Sequence, residues 1–444
     1  MQHIQGISRH QLQMSSLEDK ITADNPVRFI DAFVNHIDAV KIGFQPKILK
    51  TEGRPNFRLE VFLKLYLYGY LNGVRSSRRL EKECFRNIEV QWLLEAIYPN
   101  YHSIADFRKD NPKALKQLFK LFVSFLKDAE LIAGDTIAID GTKSRAHNSK
   151  KANYNQKKID KHKAYIDAKS QEYLDQLEQN DIQENPVAIK NIQQKIERLK
   201  QNKIKYELLE EELKNSGEPQ ISTTDADARA LLVQGQVVEV SYNIQAAVDS
   251  KHNLVVATHT INRNDKNALA AIALEVKENL ALETFTVLVD KGYHNGRELH
   301  TCKQNNITTI VAVPEQGKSN ENGTQPEYLV SKFIYNKENN SYTCPEGKTL
   351  TTTGSWHKKT GRTEESGYNF QKYRTPACKT CLVKDLCTSR NGGREIDRSQ
   401  YADAVEENHQ RYKDNPQLYR KRQEINEHIF GTIKRKWGYN YTDL

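Results

Sequence analysis

With 444 residues the chain is long enough for roughly two to four domains of about 100–200 residues each, which excludes a lone binding motif. Its 66 lysines and arginines against 57 aspartates and glutamates give a formal net charge of +9, a balance that favours a polyanionic partner without requiring one. The polar start from Met1 to Ser16 lacks the apolar run of a secretory signal, and no stretch approaches the ~20 apolar residues that span a bilayer, so the expected location is cytoplasmic with no membrane partner.

The first 130 residues read as helical. Phe62, Leu63, Tyr66, Leu67 and Tyr70 recur at helical spacing after Gly53-Arg54-Pro55, and Leu115, Leu118, Phe119, Phe122 and Phe125 do so after Asn111-Pro112, both as core stripes. The texture changes at Thr136-Ile137-Ala138-Ile139, a β-branched run that predicts a strand ending at Asp140-Gly141. Residues 149–217 are densely charged, with Ile189, Ile192, Ile196 and Leu199 at helical spacing, and predict a long helical hairpin joined near Asn185-Pro186.

Residues 237–261 read as a β-hairpin turning at Asp249-Ser250-Lys251-His252-Asn253. A helix at about 265–280, a strand at 284–289 ending in Asp290, a helix at about 294–305 and a strand at 307–313 then complete a mixed α/β pattern. From Pro314 to about Tyr401 the chain is rich in turn residues and reads as an inserted module, and Pro416 to Trp437 is again helical.

Asp140 and Asp290 each follow an apolar β-branched run and stand beside a glycine, as Asp140-Gly141 and Asp290-Lys291-Gly292. Taken singly, each is also ordinary turn chemistry. Glu427 shares one face of the last helix with Arg420 and Lys434, which by itself is a solvated ion-pair face. Three carboxylates acquire a purpose if they cage a pair of divalent ions about 3.5–4 Å apart, which can activate the attacking oxygen and stabilise the leaving one in phosphodiester cleavage.

In its blocks Ile139-Asp140-Gly141-Thr142-Lys143, Tyr242-Asn243-Ile244-Gln245, Asp290-Lys291-Gly292-Tyr293 and Glu427-His428-Ile429-Phe430-Gly431-Thr432-Ile433-Lys434, the chain resembles the DDE transposases of bacterial insertion sequences. The amino-terminal segments Gly53-Arg54-Pro55, Leu67-Tyr68-Gly69-Tyr70, Ser76-Ser77-Arg78-Arg79-Leu80-Glu81 and Ser103-Ile104-Ala105-Asp106-Phe107-Arg108 resemble the branch with a helical amino-terminal domain and a cysteine-bearing insertion. The resemblance implies a ribonuclease H-like core in which Asp140, Asp290 and Glu427 hold two Mg²⁺ or Mn²⁺ ions. It also implies cutting at terminal inverted repeats, transfer of the freed 3′ hydroxyl into target DNA, and a homodimer on the DNA ends of a nucleoid-associated bacterial protein.

Arg422, Lys434, Lys143, Arg78 and Arg79 are the expected DNA contacts, the last two within a helix-turn-helix or, alternatively, a solvated basic turn. The related signature Tyr-x2-Arg-x3-Glu-x6-Lys is met at Lys434, while Tyr419 and Arg422 stand one residue too far from Glu427. Glu424 is the rival third acid, and Asp249 and Asp265 read as a turn residue and a helix cap.

Cys344, Cys378, Cys381 and Cys387 offer four thiolates for a structural Zn²⁺ in the inserted module, with reduced unliganded cysteines as the alternative. Cys84 and Cys302 read as small core residues. The expected division is thus a helical DNA-binding domain at 1–130, an α/β core from 131–148, 218–318 and 402–444, a helical hairpin at 149–217 and a zinc-ribbon-like insertion at 319–401. The family continues with another helix beyond Trp437-Gly438-Tyr439 whereas this chain stops at Leu444, so the alternative is a degenerate or truncated relative that binds DNA without cutting. A hydrolytic nuclease unable to join strands is a third reading.

Overall fold

The computed structural model describes residues 7–45, 55–147, 149–182, 186–233, 237–314, 324–361 and 367–442. Gly53 and Arg54 of the amino-terminal signature, Asn185 of the expected helix junction and the terminal Leu444 lie outside the described residues. The chain divides into two compact units, Met1–Ala129 and Glu130–Thr442.

The first unit is helical, with α1 (Pro26–His36), α2 (Leu59–Leu71), α3 (Ser77–Arg86), α4 (Ile88–Leu93), α5 (Tyr101–Asp110) and α6 (Pro112–Asp128). Asn25, Asn87 and Asn100 cap α1, α4 and α5 through side-chain oxygens that accept from the otherwise orphaned amides of Val27, Glu89 and Ser103. Leu63, Leu65, Leu80, Leu93 and Ile104 fill the core. Both stripes expected in the core are only partly buried, since Tyr70 and Phe125 at their far ends are exposed.

In the second unit β1 (Thr136–Arg145) leads to β2 (Asn153–Tyr154), the long helices α7 (Gln156–Ile182) and α8 (Pro186–Ser216), and β3 (Ile221–Ser222). The pairing of β2 with β3 clasps the base of this helical hairpin. The chain continues through β4 (Arg229–Val233), β5 (Val237–Asp249), β6 (Val255–Ile261), α9 (Leu269–Leu280), β7 (Phe285–Val289), α10 (Gly296–Gln304) and β8 (Ile307–Val311). The inserted segment carries β9 (Ile334–Asn336), β10 (Ser341–Thr343), β11 (Thr349–Thr351), β12 (Trp356–Lys359), β13 (Tyr368–Tyr373), α11 (Lys384–Cys387) and β14 (Ile396–Ser399), paired as two small three-stranded sheets. Two helices close the chain, α12 (Ala402–Asp414) and α13 (Pro416–Gly431), the latter ending in a π-turn over Thr432–Lys436.

The large sheet has the order β4-β5-β1-β7-β8, with β6 also pairing β5. β1 is antiparallel to β5 on one side and parallel to β7 on the other, and β7 is parallel to β8. Ala138, Ala246, Val248, Leu288 and Ile310 form one apolar face, covered by Ile425 of α13 and by Tyr412, Leu418, Tyr419, Ile429 and Phe430. Strand alternation directs Ile137, Ile139, Ala247, Val287 and Val289, all fully buried, to the other face.

Two elements depart from expectation. β1 does not end at Asp140 but runs five residues further, because β5 continues to pair with it to Arg145 after β7 has stopped. The α12 segment, unassigned from sequence, protects the exposed edge of β8: buried Asn408 accepts from the Val311 amide at 2.9 Å and donates to its carbonyl at 3.0 Å. Replacing Asn408 with alanine leaves both edge groups buried and unpaired, and should lower the unfolding free energy by about 2–4 kcal/mol in chemical denaturation.

Candidate active site

The register of β1 against β7 fixes where the two aspartates stand. Ile137 pairs with Val287 and Ala138 with Leu288, so continuing the same offset for two residues sets Asp140 opposite Asp290, just where β7 gives way to a turn. Both have the parity of Ala138 and Leu288, and alternation turns them to the face that α13 covers. Asp290 stays at this strand end as an N-cap, its Oδ1 accepting from the Gly292 amide at 2.7 Å.

Asp140 is half-buried and pairs with Arg422 of α13, Nη1 to Oδ2 at 3.3 Å, while its Oδ1 accepts from the Gly141 amide at 2.8 Å. Burial pushes the Asp140 carboxyl above its ordinary range, the Gly141 amide and Arg422 pull it back, and the negative charges of Asp290 and Asp265 raise it further. The Arg422 Nε is buried without a hydrogen-bond partner.

The opposite face of β1 carries a polar network that the sequence reading missed. Asn243 and Gln245 of β5 donate to Asp265 Oδ1 at 2.7 and 2.9 Å, and the fully buried Tyr293 phenol donates to Gln245 Oε1. Asp265, expected as a helix cap, makes no side-chain cap: Asn264 precedes the short 3-10 turn it opens, and its Oδ1 is taken up by this network. Gly141 makes the approach possible, because a Cβ there would sit 2.5 Å from Asp265 Oδ1. The block Tyr242-Asn243-Ile244-Gln245 was the available signal, since two amides two residues apart on a strand share one face. Asp249 is the turn residue expected, holding the Ala133, Gly134 and Lys251 amides.

Two lysines adjoin the aspartates. Lys143 Nζ lies 4.0 Å from Asp265 Oδ2, and Lys434 Nζ donates to the Lys143 carbonyl at 2.7 Å. Burial, then repulsion from Lys143, lowers the Lys434 pKa. Glu427 is not drawn in: it is exposed, as is Glu424, and it makes no hydrogen bond or ion pair among the described residues. In the stretch 422–427 the α13 side chains turned to the sheet are Arg422, Ile425 and Asn426. Asn426 is fully buried and neither its Nδ2 nor its Oδ1 has a partner, an arrangement that costs about 1–3 kcal/mol.

Arg78 and Arg79 lie in the helical unit, both exposed on α3, with the Arg78 guanidinium 4.9 Å from the centre of the Tyr101 ring. Cys344, Cys378, Cys381 and Cys387 line a single cavity of about 30 Å³. Burial raises the Cys387 thiol, Arg394 opposes the shift, and the other three cysteines add to it. Among the described residues no three His, Cys, Asp or Glu side chains are drawn together tightly enough to cage an ion. Cys84 and Cys302 are buried, their thiols pushed up to about 12 by burial.

Comparison with known families finds a transposase domain (DUF772) over residues 15–110 and a transposase DDE domain over residues 343–444. The two matches support an insertion-sequence DDE transposase. Neither curated proteins nor solved structures gave a match. The second matched region contains the cysteine module, α12 and α13, and so includes the helix that faces the transposase's two aspartates. No helix among the described residues is long and apolar enough to cross a membrane.

The raised Asp140 pKa has a consequence for stability. A carboxyl whose folded pKa exceeds its unfolded value opposes folding once ionised, and stability falls as pH rises from the unfolded toward the folded pKa. Asp140→Asn should therefore raise the unfolding midpoint of the metal-free transposase at pH 7. Each tenfold difference in the carboxyl's proton affinity between the folded and unfolded chains corresponds to about 1.4 kcal/mol. Thermal melts at pH 7 and pH 4 check this, since the gain should shrink at the lower pH.

Proposed function

We propose that the transposase cuts DNA at insertion-sequence ends and transfers the freed 3′ hydroxyl into target DNA, using two Mg²⁺ or Mn²⁺ ions held by Asp140, Asp290 and Glu427. The supporting observation is the parallel register that sets Asp140 beside Asp290 on the face covered by α13. The strand order β6-β5-β1-β7-β8, an antiparallel meander flanked by two parallel strands, supports a ribonuclease H-like core.

The donor set fits a hard divalent ion: oxygen ligands, an acidic group raised by burial and by negative neighbours, and an arginine that partly offsets the charge. When bound, such ions supply an activated oxygen nucleophile and stabilise the leaving oxygen. The chain's own residues position the substrate. Arg422, Lys143 and Lys434 would meet phosphates, and the Asp265, Asn243, Gln245 and Tyr293 network would brace β1 from behind. Arg78 and Arg79 offer cations for terminal inverted repeats from the helical unit, and a homodimer would bring two ends together. A cytoplasmic, nucleoid-associated place follows from this substrate.

The outward Glu427 favours one second reading, a relative that grips DNA without cutting. Incubation with a labelled element end in Mg²⁺ or Mn²⁺ separates the possibilities: binding alone supports this second reading, cleavage without joining indicates a hydrolytic nuclease, and joined product supports the transposase. On the proposed reading, Asp140→Asn and Asp290→Asn each reduce cleavage by more than about 100-fold while end binding persists.

Drawn together across the cavity they line, the four thiols would suit a structural Zn²⁺ rather than a catalytic one, because four sulfurs would fill the coordination sphere. Elemental analysis should find one zinc per chain, and Cys378→Ser should remove it and lower the unfolding midpoint. A metal-free protein of unchanged stability would refute the assignment.

A further inference from the structure

We infer that α13 is a two-register helix, in which moving its π-turn from Thr432–Lys436 to the stretch between Arg422 and Glu427 carries Glu427 into the position now held by Asn426. This rests on the proposed role of Glu427 as the third acid, and concerns how it reaches the site.

Four independent features converge on it. A π-turn holds one residue more than an α-turn, so the segment already stores a spare residue, marked by the Trp437 amide donating to the Thr432 carbonyl at 3.0 Å. The Tyr-x2-Arg-x3-Glu spacing fails here by one residue, Arg422 being five rather than four residues before Glu427, and a π-turn between them absorbs that residue. The position one turn after Arg422, against the sheet, is occupied by an asparagine that satisfies neither of its polar atoms, while the carboxylate beside it faces solvent. Asp265, the other nearby acid, gives its Oδ1 to Asn243 and Gln245 and holds its Oδ2 4.0 Å from the Lys143 ammonium.

The movement is confined. With the spare residue transferred, everything up to Arg422 and everything from Trp437 onward keeps its place, and only the intervening residues advance by one. Phe430 then takes the place of Ile429; both already pack against the sheet, so apolar contact survives. Gly431 follows into the Phe430 position, where it brings no side chain that could clash.

Two single-residue deletions in the full chain test this. Each turns α13 into a regular helix of the same length, but deleting Asn426 fixes Glu427 toward the aspartates and deleting Thr432 fixes Asn426 there. Mn²⁺ titration calorimetry should show the Asn426 deletion binding at least as tightly as the parent and the Thr432 deletion more than tenfold more weakly. In the parent alone, Mn²⁺ should change amide hydrogen exchange across residues 427–432. Should either deletion fail to fold, Asn426→Glu in a Glu427→Gln background places a carboxylate at the inner position with no movement and should restore binding lost in Glu427→Gln. Parent-like affinity in the Thr432 deletion, or no restoration by Asn426→Glu, overturns the register shift. Unchanged Mn²⁺ affinity in Glu427→Gln instead overturns the role of Glu427 as third acid, a separable failure.

Discussion

The alignment of β1 with β7 is the constraint on which the catalytic half of this transposase depends. Parallel strands in register repeat side-chain direction at matched positions, so two aspartates 150 residues apart in sequence become neighbours once Ala138 pairs with Leu288. A slip of one residue would turn one of the two carboxylates to the other face. The register is held by the apolar residues before each aspartate, packed on both sides and buried between helices. The core therefore sets the site geometry as well as contributing stability.

Concentrating acids at the end of a sheet is electrostatically costly, and the surrounding residues divide the load. Arg422 answers Asp140 from α13, and two amides together with Lys143 surround Asp265 from behind. The compensation is incomplete, as the raised Asp140 pKa shows. Such residual strain is common at functional sites, which tend to form at the expense of stability.

α13 is the least settled part of the arrangement. Its apolar residues fix it against the sheet, yet its polar residues leave Asn426 buried without a partner while Glu427 faces solvent. Disagreement between burial and chemistry tends to mark a working part of a protein.

Much of this was legible in the amino-acid string. The β-branched runs ending near Asp140 and Asp290, the charged hairpin with isoleucines at helical spacing and the apolar stripes of the first unit are local signals, and α7, α8, β7 and β8 appear close to where periodicity puts them. Other features depended on partners remote in sequence. β1 outruns its apolar stretch because β5 pairs with it to Arg145, and α12 has its role because the β8 edge needs cover. Asp265 was read as a cap because its neighbours in sequence form a turn, whereas its bonding partners lie some twenty residues back on another strand. Sequence spacing could name Glu427 but could not say which way it points, because a helix converts a single residue of offset into about 100° of rotation. Composition and pattern thus determined which elements form and which acids are available, while pairing and packing alone decided which of them meet.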